Sequence, residues 1–147
     1  MKKTLVCLAL MTMASNAYAE VAGKGVFCSF VEDSSETEKH KRYEAYAFND
    51  QDVVQITYRF LRDKYTYGIV ESFRYYTDAQ HIRWVNYSIG NGRYFSLHRR
   101  TLELAVSEIT KAKCSLYSDF KSLKARLEAV QIELTSGYES ETKENKF

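Results

Sequence analysis

The chain contains no proline, so no turn can rest on a ring-locked φ, and turns fall to Asn, Asp, Gly and Ser. It also lacks the familiar catalytic signatures. There is no G-x-S-x-G elbow, no phosphate-cradling glycine loop, and no cysteine in a nucleophile motif. Histidine is scarce: His40, His81 and His98 stand alone, none at i, i+2 or i, i+4 from another. No metal site is expected from that spacing, and nothing in the sequence asks for a cofactor. Nor is there an apolar run of the roughly 20 residues that cross a bilayer, so no membrane span is expected.

What does stand at the start is a three-part pattern. Met1-Lys2-Lys3 is a short positive head, Leu5 to Ala14 is apolar except for Thr12, and Ser15-Asn16-Ala17-Tyr18-Ala19 ends in small residues at A-x-A. This is the layout of a cleavable secretion signal, with cleavage expected after Ala19 and a periplasmic or secreted product. Removing Lys2 and Lys3 lowers the basic count from 21 to 19, against 19 acidic residues. A balanced domain has no global field for phosphate backbones, so nucleic acid is not an expected partner. Cys7 leaves with the signal. Cys28 and Cys114 remain, and two cysteines in an oxidising compartment are expected to pair.

Period-two alternation dominates the mature chain. Val26, Cys28 and Phe30 mark a first strand, and Tyr43 to Phe48 a second. After Asn49-Asp50-Gln51-Asp52, the set Val54, Ile56, Tyr58 and Phe60 gives the cleanest strand signal. Tyr65 to Tyr76 follows, with Tyr65, Tyr67, Ile69, Phe73 and Tyr75 expected on one face and Gly68 as the candidate for a bulge or bend. Ile82 and Trp84, then Phe95 and Leu97, flank Gly90-Asn91-Gly92, a hairpin signal because both residue types tolerate positive φ. Leu102 to Val106 is a seventh strand, and Lys113 to Tyr117 a plausible eighth.

The period then changes. Phe120, Leu123, Leu127, Val130 and Leu134 fall on one helical stripe, with Ser118 or Asp119 as cap and Gly137 as stop. Ile109 and Leu116 extend that spacing backwards, so one long helix over 107–134 competes with a strand through Cys114. The strand is preferred because a bridge from the first strand to an adjacent last one accounts for both cysteines. The expectation is a mainly β fold: a small antiparallel barrel or highly curved sheet of 7–8 strands with one C-terminal amphipathic helix. Residues 20–134 form one domain, Glu20 to Lys24 is a loose lead-in, and 135–147 is a flexible polar tail.

For function, the densest aromatic run is the informative feature. That run is Tyr65, Tyr67, Phe73, Tyr75 and Tyr76; the expected binding set is Tyr65, Tyr67, Phe73 and Tyr75 with Arg74, Arg83 and Trp84, side-chain types that dominate binding hot spots. The expected activity is a non-catalytic binding module whose aromatic strand face meets an envelope protein or glycan. A small-ligand barrel is the first alternative. A hydrolase using Glu71 is the second: an interior Glu71 would be desolvated like a general acid, with Glu44 or Glu103 as second carboxylate by parity. Otherwise Glu71 pairs with Arg74 or Arg83 at a rim. Two basic spots, Lys39-His40-Lys41-Arg42 and His98-Arg99-Arg100, could meet an acidic group.

Overall fold

A computed structural model describes residues 20–31, 41–88 and 90–144. The expected signal (1–19), the stretch 32–40 with His40, and the last three residues lie outside the described residues. Eight strands run β1 (Gly25–Val31), β2 (Lys41–Phe48), β3 (Asp52–Leu61), β4 (Lys64–Thr77), β5 (His81–Asn86), β6 (Arg93–His98), β7 (Glu103–Val106) and β8 (Thr110–Tyr117). Each pairs antiparallel with the next, and β8 returns to β1, closing the barrel. Helix α1 (Phe120–Glu144) follows. Among the described residues no helix is long and apolar enough to cross a membrane.

Turn chemistry sets the hairpins without proline. Arg62 and Asp63 (φ 52° and 63°) form a two-residue turn, and Ser107 and Glu108 (φ 49° and 62°) open the three-residue connection from Val106 to Thr110, both pairs in the left-handed region, whose twist matches the flanking strands. The second turn decides the competition over 107–134 in favour of a strand. It throws the chain back along β7, so Cys114 lies directly opposite Cys28 in the β1–β8 register, and the two are joined by a disulfide.

Among the described residues, closure divides the apolar side chains into two bodies. Inside lie Val26, Cys28, Phe30, Tyr46, Phe48, Val53, Phe73, Tyr75, Trp84, Phe95, Leu97 and Leu104, among others. The Trp84 ring stacks on Phe95 with centroids 5.2 Å apart, sits 4.9 Å from Tyr46 and meets Phe48 edge-on. Outside, Phe27 and Ala45 pack with Leu123, Leu127 and Val130 of α1, flanked by Tyr43, Ile56, Tyr58 and Tyr67. The helix sits close because of Gly25: a Cβ there would lie 2.5 Å from Leu123 Cδ2 and 3.1 Å from the Tyr46 carbonyl oxygen.

The structure adds one feature and corrects two expectations. The tidy β3 alternation Val54-Ile56-Tyr58-Phe60 faces the helix; Tyr46 pairs with Gln55, which puts Val53 and Gln55 inside. The lead-in is not loose: Val21 is buried in the barrel cluster, Gly23 N–H donates to the Phe48 carbonyl at 2.8 Å, and Glu20 pairs with Arg99 at 2.6 Å. Finally, the helix runs through Gly137 to Glu144 instead of giving way to a tail at 135. The β3–β4 hairpin outgrows the barrel and supports it there. Phe60 packs on Tyr138 at 4.5 Å, and Tyr65 N–H donates to Thr135 Oγ1 at 3.2 Å. That packing offsets the roughly 1 kcal/mol that glycine costs mid-helix.

Candidate functional site

The bulge on β4 redistributes the expected recognition face. Gln55 pairs with Glu71 but Ile56 pairs with Ile69, so Val70 has no counterpart on β3. One extra residue reverses strand parity. Below it, Tyr65, Tyr67 and Ile69 face the helix side; above it, Glu71, Phe73 and Tyr75 turn to the barrel interior. The seven expected binding residues therefore separate three ways. Phe73, Tyr75 and Trp84 are core, at 8%, 2% and 1% exposure. Tyr65 and Tyr67 lie under α1. Arg74 and Arg83 remain exposed on the outer wall.

The Tyr67–Ile69 side forms one wall of an apolar cleft of about 550 Å³. Its floor is Ala47, Val54 and Ile56; the opposite wall is Phe120, Leu123 and Leu127 of α1, with Lys124 and Asn49 at the margin. Ile69 is 70% exposed and Phe120 42%. The helix wall is held from both ends. Asp119 Oδ1 accepts from the Ser122 N–H at 2.7 Å, and these amide contacts hold its carboxyl below the usual range. Further along, the Tyr58 hydroxyl donates to the Leu127 carbonyl at 2.8 Å, and burial pushes that phenol up. The sequence carried the signal as two apolar faces, the Val54–Phe60 alternation and the helical stripe, which must cover each other. That they diverge at one end could not be read from either.

A polar cluster occupies the barrel interior near the β2 start. Glu44, 7% exposed, accepts from the Tyr46 hydroxyl, from Gln55 Nε2 at 3.0 Å, and pairs with Arg42 Nε at 3.3 Å. Burial, then the Glu44 charge, push the Tyr46 phenol well up. With three partners Glu44 is a satisfied buried charge. Glu71 is half-buried and accepts from the Ser88 hydroxyl. It pairs with neither arginine anticipated for it, because the bulge turns it inward while Arg74 and Arg83 point out. Arg83 binds Asp78 instead. Glu103 is exposed and pairs with Lys111 at 3.5 Å, so parity did not make it a partner of Glu71.

On the outer wall of β4–β6, Tyr76 (66% exposed) lies across from Arg83, and Tyr94 (60%) across from Val85, with Tyr87 (74%) in the following loop. The sequence counts Tyr76 in the densest aromatic run, but Tyr87 and Tyr94 stand outside it and none of the three belongs to the expected binding set. The second basic spot is largely spent inside the protein. Arg99 holds Glu20 and the Asp78 carbonyl, and His98 Nδ1 accepts from the Arg100 and Thr101 amides. His81 and His98 pair across strands with rings 5.0 Å apart, but among the described residues no group of three metal-binding side chains forms. No family model matches the chain, and neither a similar curated protein nor a similar solved structure was found.

Proposed function

We propose that the mature chain is an exported, non-catalytic binding protein, and that the cleft between α1 and the outer wall of β2–β4 receives apolar side chains of an envelope protein. One contrast carries this reading. The barrel interior is filled by the interlocked rings of Tyr46, Phe48, Tyr75, Trp84 and Phe95, whereas the cleft outside it is open, apolar and of a size typical for ligand sites. Export is supported by the signal-like N-terminus and by the Cys28–Cys114 disulfide, which belongs in an oxidising compartment. Its partner chemistry follows from the lining: few polar groups point into the cleft, which suits aliphatic or aromatic side chains better than a sugar.

The test uses residues 20–147 and the fluorescent apolar probe 1-anilinonaphthalene-8-sulfonate. Phe120 is 42% exposed on the helix wall of the cleft, so Phe120→Glu puts a charge in the cleft while leaving the buried stripe of α1 untouched. It should weaken probe binding at least about tenfold, ~1.4 kcal/mol, with an unchanged circular dichroism spectrum. Full probe uptake by the folded variant removes the cleft from consideration. A second reading rests on the exposed Tyr76, Tyr87 and Tyr94 beside Arg74 and Arg83, an outward surface suited to stacking on sugar rings. Loss of binding to soluble cell-wall glycan fragments in Tyr76→Ala/Tyr94→Ala, with the cleft probe unaffected, would favour it.

A further inference from the structure

We infer that the partner docks as an extended strand on the open edge of β4, next to the cleft; this rests on the cleft reading for the apolar side chains of that strand. The ladder shows where the edge is open. Along one side β4 pairs with β3 from Lys64 to Arg74. Along the other it pairs with β5 only at Tyr75, Tyr76 and Thr77. Within the unladdered part, the Tyr65 amide is clasped by Thr135 Oγ1 of α1, and the Glu71 carboxylate is held by Ser88. Between those clasps lie Thr66, Tyr67, Gly68, Ile69 and Val70, with no strand on that side among the described residues. Five extended residues span roughly 17 Å, an ordinary strand length.

Backbone chemistry names the occupant. A row of alternating N–H and C=O groups is complementary to another extended polypeptide and to little else. Proteins ordinarily blunt such an edge with charge, proline or a covering element. From Tyr65 to Val70 there is no charge, and Ile69 and Val70 are 70% and 41% exposed. The edge also adjoins the cleft, since Tyr67, Gly68 and Ile69 line it. A strand added here would lay alternate side chains beside Ile69 on the cleft side. A segment of a different polypeptide fits better than a second copy of this chain. Two copies pairing antiparallel through this edge would bring both Val70 bulges into one short ladder, whereas a foreign strand need carry none.

The experiment titrates 15N-labelled 20–147 with a synthetic nonapeptide, Lys-Thr-Val-Thr-Val-Thr-Val-Thr-Lys amide, up to millimolar concentration. A control peptide is N-methylated at every valine, and a second at every central threonine, so that each loses the donors of one edge. Amides of Tyr67 and Ile69, which alternate with the outward Tyr65 amide, should shift and gain exchange protection with the parent peptide, and one of the methylated peptides should bind at least tenfold more weakly. Val70→Lys, which lies outside the cleft lining, should weaken the peptide at least tenfold while leaving probe uptake intact. The inference is overturned by absence of peptide binding, by protection elsewhere, by indifference to both methylation patterns or to Val70→Lys, or by sedimentation showing a dimer that Val70→Lys dissolves. Probe uptake without peptide binding defeats the edge alone. Peptide binding at the β4 edge that Phe120→Glu leaves intact, with no probe uptake by the parent chain, defeats the cleft alone.

Discussion

Replacing Cys28 and Cys114 together by alanine should lower the melting temperature sharply while leaving the barrel assembled. The bridge joins residues separated by 86 positions, so its removal frees nearly the whole sheet in the unfolded chain. In the loop-entropy account a closure of that length is worth about 4.5 kcal/mol. For a domain of this size each kcal/mol corresponds to roughly 3–5 °C, which gives a fall of roughly 13–22 °C. The native seam does not depend on the sulfurs alone, because β1 and β8 share a register from Gly25–Tyr117 to Phe30–Ala112. Far-ultraviolet circular dichroism at 20 °C should therefore match the parent. The assay is thermal melting of oxidised parent, reduced parent and double variant, with the bridge verified by mass. Reduced parent should melt with the variant. A fall below about 5 °C, or roughly 1 kcal/mol, would refute the claim that this link constrains the unfolded state across the barrel.

Tyr75→Ala should cost about 3–5 kcal/mol in urea unfolding, because its ring is buried against Phe48 and its hydroxyl donates to the Asn49 carbonyl at 2.9 Å; a near-neutral result would mean the bulge does not turn it inward. Asp119→Ala should destabilise by about 1 kcal/mol, with Asp119→Asn retaining most of the cap, read from the same urea curves. Asp78 is held down to about 2, first by the Gln80 and His81 amides and then by Arg83. A folded-state value below the ordinary one stabilises above pH ~4 and stops doing so as pH falls toward 2. The melting-temperature gap between parent and Asp78→Ala should therefore be open at pH 6 and close on acidification; a gap that widens in acid contradicts the assignment. Gly25→Ala should displace Leu123 and loosen the N-terminal half of α1, seen as faster amide exchange around residues 123–127 than in the parent.

The strands were legible wherever side chains alternate over several residues and turn chemistry is explicit, because the two-residue repeat is a local property of extended backbone. The pairing of Cys28 with Cys114 followed from compartment and count. The candidate site was far less legible. Tyr67 and Tyr75 read as one face because parity was carried across Val70, and a single unpaired residue cannot be seen without its neighbour strand. Tyr76 and Tyr94 stayed outside the expected binding set, since what makes them exposed is the outward side of a sheet whose inner side Trp84 and Phe95 already fill.

Sequence alone thus determined most of the element types, a mainly β fold with a terminal helix, and the apolar character of both the β3 alternation and the α1 stripe. Tertiary structure decided which of those surfaces meet, where β4 slips by one residue, and that the helix continues past Gly137 on the projecting hairpin. The division has a physical cause. Periodicity and turn preference depend on neighbours along the chain, while register, coverage and openness depend on contacts between residues far apart in it.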